Sequence, residues 1–528
     1  MRGARAAALA ALPLVVLGPV ATAQPDRRAL LFLVDDLTFE RALSDPSIGP
    51  LARTGGIGLM TNADPVEPPD LPSLTVSRVP ADGTGRIPAA LLEEEGEVLV
   101  IVAVTGASEG VATPMVMARG SPAELVEATG PPSGLTSETT RRNGVVSNLD
   151  VEPTIRAFLG LPTDDGPGSP IRAEGEAPTA LVERYDDWRR SAAPVGITVL
   201  VVALASLAVG LVVIVGGWTG PARAVVVWVL FSEAMLVALL PAGLLPDLRT
   251  AVVLTAVAVL GAILTAAVLA SARRSGSRPV ATIAGVGLAV VVLDAALGWP
   301  MGVTPFLGGS ALEGVRFFGL GNPSAGIVLS GAVLVAAFLR PWSGVILILG
   351  AALFAGLPFV GADFGGGLTL FAVTALWYAL RVRARFGWRE TGLVAAALVT
   401  GAALLVVAHT AFPSPAEHVA RTVEGAGPLD LTRVFLDRLR ANVEATSTVP
   451  AAWLAVVGLP GWLLLVWRRP GRFRAPLEAG EAWRHAAATL AVGGMLGYVL
   501  NDTHAMAAVV FVFLSAAVVV PTLRWTNG

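Results

Sequence analysis

The side chains best placed to do chemistry fall at the ends of long apolar runs. Asp294 closes one such run, and the segment after it carries Glu313, Arg316 and then Phe317-Phe318-Gly319-Leu320-Gly321-Asn322-Pro323. Asp363 sits in Gly361-Ala362-Asp363-Phe364-Gly365-Gly366-Gly367, His409 ends another run, and Asn501-Asp502-Thr503-His504 turns the last hairpin. A guanidinium at Arg316 can grip a phosphate or carboxylate through two parallel hydrogen bonds. Glycines beside Asp363 let backbone approach a ligand closely. Arg316, Asn322, Asp363, Asn501, Asp502 and His504 are therefore the substrate-binding candidates, and Asp363 and His504 are also candidates for catalysis. Asp294, Asp363, Asp502, His409 and His504 have the donor chemistry of a metal or proton site. Gly, Asn and Asp are equally what short turns require, so scattered turn residues, with Arg316 latched to Glu313, are the competing reading. Glu233 stands apart in the middle of an apolar run, as either a proton-relay residue or one hydrogen-bonded inside a bundle.

The elements that must position these groups are apolar helices. Hydrophobic residues make up 54% of the 528 and charged residues only 15%, against about 25% charge in soluble globular chains. Approximate spans are 195–216, 222–243, 250–271, 279–298, 322–339, 343–360, 364–380, 390–411, 448–467, 485–500 and 503–522. Each is near the roughly 20 residues that cross about 30 Å of hydrocarbon. The pattern predicts an all-α bundle of about 11 membrane helices over 194–524, with 343–380 either two spans or a re-entrant hairpin. A loop at 412–447 interrupts it, with Leu431, Val434, Phe435 and Leu439 at helical spacing and Arg433, Asp437, Arg440 and Glu444 elsewhere on the wheel. That amphipathic stretch either lies at the lipid interface beside a substrate access route or caps the bundle.

Orientation follows from two signals. Arg2 and Arg5, the apolar run Ala6–Val20 and Ala21-Thr22-Ala23 have the layout of a signal peptide over 1–23, whether cleaved or retained as an anchor. If the next domain is extracytoplasmic, the loops of one side carry fifteen arginines and those of the other carry six. The positive-inside rule then agrees, and the C-terminus is cytoplasmic in a plasma (inner) membrane. The net charge of -3 argues against a nucleic-acid partner. With no cysteine and no lysine, disulfides, thiolate catalysis and Schiff-base chemistry are excluded.

The stretch 24–190 differs in kind, rich in Pro, Gly and acidic residues. Ala29–Val34 and Val98–Val104 read as buried strands, with Pro114–Ala118 a third. Thr38 is a helix cap candidate, and Val151–Leu161 reads as a helix stopped at Gly160. Strands alternating with helices predict an α/β domain.

The run Leu31-Phe32-Leu33-Val34-Asp35-Asp36-Leu37 resembles the first strand and acidic pair of the alkaline-phosphatase/sulfatase superfamily. The run from Gly134 to Ile155 resembles that superfamily's closing segment, with Asn148-Leu149-Asp150-Val151-Glu152-Pro153-Thr154 matching an N-x-D-x-x-P-T turn. The resemblance covers roughly a third of the chain and none of the membrane part. It implies a two-metal site with Asp and His ligands and a Ser or Thr nucleophile. On this chain it would make Asp35 and Asp36 metal candidates, able to ligate a single divalent cation, against the reading of solvated carboxylates at a strand end. Of Thr61, Ser73 and Thr75, the resemblance leaves Thr75 as the catalytic candidate, although Ser and Thr beside Pro72 are ordinary turn formers. The chain departs from the pattern in two places. Val104-Thr105-Gly106-Ala107-Ser108-Glu109-Gly110 stands where the family has a Ser-Asp-His-Gly type turn, and no histidine precedes His409. The implied domain is a reduced, degenerate phosphatase-like module that cannot use the two-zinc mechanism.

Together these readings give a cell-envelope membrane protein that acts on or binds a phosphate-bearing, lipid-linked substrate at the outer leaflet. A transporter or flippase, and a scaffold with a pseudoenzyme ectodomain, are the alternatives.

Overall fold

The computed structural model describes residues 27–61, 71, 73–80, 83–104, 112–127, 129–140, 142–163, 168–218, 220–275, 278–307, 312, 319–385, 387–412, 436, 439–440, 442–444, 446, 449, 452–468, 480–501 and 504–525. The signal segment, Glu313, Arg316, His418, Asp502, the turn 105–111 and most of the 412–447 loop lie outside the described residues.

The N-terminal part is a mixed sheet with helices on both faces. Its strands are β1 (Arg27–Val34), β2 (Gly56–Thr61), β3 (Leu74–Val79), β4 (Glu97–Val104), β5 (Thr113–Gly120), β6 (Ser133–Thr136), β7 (Val145–Ser147) and β8 (Arg172–Glu176). They run in the order β3-β1-β4-β5-β2-β6-β8, with β7 also on β2. β1 pairs in parallel with β3 and β4, whereas β5 is antiparallel to both β4 and β2. Alternation along β1 shows why this strand reads as one apolar run. Leu30, Phe32 and Val34 pack under α1 (Phe39–Ser44), α2 (Gly49–Thr54), α3 (Arg86–Leu92) and α4 (Pro122–Glu127). Ala29, Leu31 and Leu33 pack under Val151, Ile155 and Phe158 of α5 (Val151–Leu159). A strand buried on both faces has no polar side to show. Gly160 stops α5 with φ 72°, a left-handed cap that glycine adopts without strain. Thr38 caps α1 by accepting from the Arg41 N–H at 3.2 Å. Thr38→Ala is expected to lower the domain's stability by about 1 kcal/mol, read as a shift in the urea midpoint of the full chain.

A helical region follows: α6 (Thr179–Gly216), α7 (Ala222–Ala242), α8 (Thr250–Ser275), α9 (Pro279–Ala296), α10 (Asn322–Ala336), α11 (Pro341–Gly356), α12 (Phe364–Arg381), α13 (Trp388–Ala411), α14 (Leu459–Arg468, entered through a π turn at Leu454–Gly458), α15 (Glu481–Leu500) and α16 (Ala505–Trp525). Among the described residues, six helices are long and apolar enough to cross a membrane: α6, α7, α8, α9, α13 and α16. Asn322–Ala336, Pro341–Gly356 and Leu454–Leu465 are shorter apolar helices. Val215, Ile346 and Val399 are 70%, 69% and 72% exposed, so apolar faces remain that no protein covers. In water such faces would drive association, so the chain is a membrane protein.

One boundary differs from the sequence reading. The first long helix begins at Thr179, not near 195, and runs unbroken through the expected domain limit at 190. The charged stretch Glu183–Arg190 hides it from a hydropathy scan. With 38 residues, α6 is about 57 Å long, nearly twice the hydrocarbon thickness. Its first turns are therefore a rigid strut between the sheet domain and the bundle.

Candidate functional site

The strut sets which end of the bundle faces the domain. The Arg184 guanidinium donates to Leu245 O (2.7 Å), Thr304 Oγ1 (3.3 Å) and Gly243 O, and Trp188 Nε1 donates to Pro305 O at 2.7 Å. The Tyr185 hydroxyl accepts from the Ala112 N–H of the sheet domain at 3.2 Å. A second tie is Arg142, just before β7, whose guanidinium donates to Trp299 O at 3.1 Å. Burial pushes the Arg142 pKa down, and the nearby Asp294 carboxylate pulls it back up. Asp294 itself accepts from the Met301 N–H at 2.8 Å, which folds the 297–302 turn back over the end of α9.

From that turn the contacts run on to the polar candidates. Trp299 Nε1 donates to Val360 O at 3.1 Å, and the Leu320 N–H donates to Gly361 O at 2.7 Å. Both land on the 357–363 turn between α11 and α12. Gly319, at φ +94°, lies so close to Gly361 that a Cβ on it would come within 2.4 Å of the Gly361 carbonyl oxygen. Asp363 ends this turn and caps α12, accepting from the Gly366 N–H at 3.1 Å. Its other oxygen accepts from Asn501 Nδ2 at 3.5 Å. Asp363 is 1% exposed and Asn501 3%.

Glycine makes this meeting possible. A Cβ at Gly365 would come within 2.6 Å of Leu500 O, so α12 starts directly against the end of α15. A Cβ at Gly367 would come within 2.5 Å of Gly356 Cα, which fixes the close crossing of α11 and α12. Asn322 opens α10 one turn from this contact, and Ala325 of the same turn packs toward Gly366.

The sequence reading missed Asn442. Its Nδ2 donates to Tyr498 O (2.8 Å) and Asn501 O (3.0 Å), while the Tyr498 hydroxyl donates to Asn442 O at 2.6 Å. Thr446 Oγ1 lies 2.6 Å from the same hydroxyl. The described helical residues of the 412–447 stretch thus cap the end of α15, and Arg440 pairs with Glu444 at 2.9 Å on its exposed side. Only the polar-apolar boundary of the amphipathic pattern pointed to Asn442.

The remaining candidates fall elsewhere. His409 Nε2 is 2.9 Å from Gly356 O and its ring lies edge-on to Phe364, so it braces the α11–α13 contact. His504 is in the α15–α16 turn, three residues beyond Asn501. Asp35 and Asp36 are exposed beyond the end of β1, with Asp36 at φ 50°. Thr75 is exposed in the edge strand β3, in register with Leu30, four residues back from Val34. Thr75 is therefore not brought to Asp35 and Asp36. Thr61 is fully buried and donates to Val146 O at 3.3 Å. Among the described residues, no three Asp, Glu or His side chains gather as a metal site. The sheet domain also has a polar cleft of about 430 Å³ lined by Ser137, Glu138, Asn143 and Arg172, which holds none of the sequence candidates.

Comparison with protein-family models, with curated proteins and with solved structures finds no match to this chain. The chemistry must be read from the geometry. Asp363 accepts from the Asn501 amide, and the Asn442 amide donates to the Asn501 backbone carbonyl, in a polar knot where α12, the end of α15 and Asn442 meet. The amides can donate to hydroxyl or phosphate oxygens, whereas the carboxylate can only accept, as from a hydroxyl. In this conformation they hold one another, so a ligand would engage them by exchanging partners.

Proposed function

We propose that this is a cell-envelope membrane protein that binds a phosphate-bearing, lipid-linked substrate at the outer leaflet. One observation carries the reading. The sheet domain is tied through Arg142 to Trp299, and Trp299 is tied to the turn that ends in Asp363 beside Asn501. A domain with an acid-rich strand end and an intramembrane polar knot thus share one end of the bundle. In this reading about eleven helices cross the plasma membrane, with the sheet domain outside and the C-terminus in the cytoplasm. The fifteen-to-six arginine asymmetry supports that sidedness. The sheet domain descends from the alkaline-phosphatase/sulfatase superfamily and positions substrate without two-zinc chemistry. Arg316 is the group for the phosphate, and Asn322, Asn501, Asp502 and His504 hold the adjoining polar part.

The test is titration of the full chain in lipid nanodiscs with a polyprenyl phosphate, followed by tryptophan fluorescence, with the dephosphorylated polyprenol as the control. Saturable binding of the phosphate form is expected, weakened about tenfold or more in Asn501→Ala, equivalent to the loss of about one hydrogen bond to a charged group. Equal responses to the two lipids, or an unchanged affinity in the variant, would remove the proposal.

A further inference from the structure

Glu233 is far from the polar knot. It is the twelfth residue of the 21 in α7, its side chain is 0% exposed, and among the described residues neither carboxylate oxygen has a hydrogen-bond partner. The sequence left open whether it is hydrogen-bonded within the bundle, and no such bond is found. A carboxylate left this way would carry an unbalanced charge in an apolar medium, which costs several kcal/mol.

A second unpartnered polar group lies on α10, which packs against the same helix α9 as α7 does. Ser330 of α10 is also 0% exposed, and its hydroxyl has no partner among the described residues. Gly287 of α9 fixes the relation between the two helices. A Cβ there would come within 2.8 Å of Ile327 Cγ2 of α10 and 3.2 Å of Val237 Cγ2 of α7. The end of α7 and the start of α10 both lie at the domain-facing end, because Gly243 receives Arg184 and Leu320 binds the 357–363 turn. The two helices therefore run in opposite directions. Glu233 precedes Val237 by four residues and Ser330 follows Ile327 by three, so both steps lead about one turn away from the domain. A hydrogen-bonded pair, Ser206 and Ser232 at 2.7 Å, flanks Glu233 on the α6 side.

We propose that Glu233, with Ser330 beside it, is a proton-binding site in the middle of the bundle. Two carboxylate oxygens and a hydroxyl are too few ligands for a hard metal cation, whereas a proton needs only one. No other charged side chain competes for that proton among the described residues. On α9, Asp294 lies at the domain-facing end and is bonded to Met301 N. The ionisable residues of α6, from Glu183 to Arg190, belong to the strut, and α10 contains no ionisable residue. On α8 and α16 the ionisable residues are Arg273, Arg274 and Arg524, near their far ends.

The test is infrared difference spectroscopy of the full chain in nanodiscs, wild type minus Glu233→Gln, across the acid-to-alkaline range in H2O and D2O. The expected result is a carboxylic-acid carbonyl band that shifts in D2O and gives way to carboxylate bands as pH rises. Ser330→Ala should move that midpoint up by about one to two pH units, because it removes a hydroxyl, unpartnered in this conformation, that the ionised form would draw in as a donor. A carbonyl band that neither exchanges nor titrates would make Glu233 a fixed structural acid and overturn the proposal. A carboxylate band at every pH would overturn it equally, and an unmoved midpoint in Ser330→Ala would remove Ser330 from the site.

Discussion

Asp150→Ala is expected to open the sheet domain, raising hydrogen exchange of α5 and β7 amides in the full chain by about a hundredfold. The estimate follows from what the carboxylate holds. It accepts from the Ser147 N–H at 2.8 Å, the Ser169 N–H at 3.0 Å and the Thr139 hydroxyl, and it is 0% exposed. With Ser147 it forms a capping box, Ser147 Oγ accepting from the helix and Asp150 accepting from the Ser147 backbone. Removing it strands two buried backbone donors, each costing about 1–3 kcal/mol, while the Thr139 hydroxyl can turn to Ser169 Oγ at 2.9 Å, so a total loss of about 3 kcal/mol is expected. That loss equals about two decades in the opening constant.

The same residue sets a pH dependence. Burial pushes the Asp150 pKa above the ordinary aspartate value, against the opposing hydrogen bonds from Thr139, Ser137, Ser169 and Ser147. A folded state with the raised pKa holds its proton where the unfolded chain has lost it. The contribution is therefore fully present below the unfolded value and is lost as pH rises through the folded one. Wild-type domain stability should fall across that window, and Asp150→Asn should flatten the dependence. A slope unchanged in Asp150→Asn would show that another group sets it.

These two results bear on the resemblance. In the Asn148-to-Thr154 turn, Asp150 is spent on the local fold, and Thr154 Oγ1 accepts from the Ile171 N–H at 2.8 Å. The turn is built as a structural knot that ties β7, α5 and the 168–171 segment together. Its residue types follow from those bonds, and the geometry assigns it no catalytic part.

What could be read in the sequence follows the burial pattern. β1, β4 and β5 are apolar on both faces and stand out as runs, whereas β3 and β8 do not. Leu74–Val79 and Arg172–Glu176 carry polar, exposed side chains at the edges of the sheet, so they are strands because of their neighbours and not their composition. The strut part of α6 was hidden for a similar reason, since its charged residues mask a helix that Tyr185 ties to the sheet domain and Trp188 to the bundle end. Asp363 and Asn501 were visible as polar turn residues between apolar runs, but turns use the same residue types, so the sequence left open whether they meet. Arg142 and Trp299 were not visible as partners. They lie 157 residues apart, and no local pattern records a contact at that separation. Glu233 was conspicuous alone, but Ser330 gains meaning only from the α7–α9–α10 packing.

Asp363→Ala is expected to lower the stability of the bundle by about 2–4 kcal/mol, measured by thermal unfolding in detergent micelles. Loss of the α12 cap contributes about 1 kcal/mol. The rest comes from the Asn501 amide, which loses its carboxylate acceptor and keeps the weaker Met506 Sδ contact at 3.8 Å. Asp363→Asn keeps a capping oxygen, so it should lose less. If charge and not shape matters in this knot, the two variants should instead lose the same amount. The double variant with Asn501→Ala decides whether the contact is a true coupling. At 3.5 Å the Asp363–Asn501 bond is long, and a weak bond would make the two losses add within about 0.5 kcal/mol. A shared knot should make the double variant less damaging than the sum by about 1 kcal/mol or more, because each single change already strands the other partner. Simple additivity would mean that Asp363 serves α12 alone, and that α15 and the 436–446 segment are free to part from it.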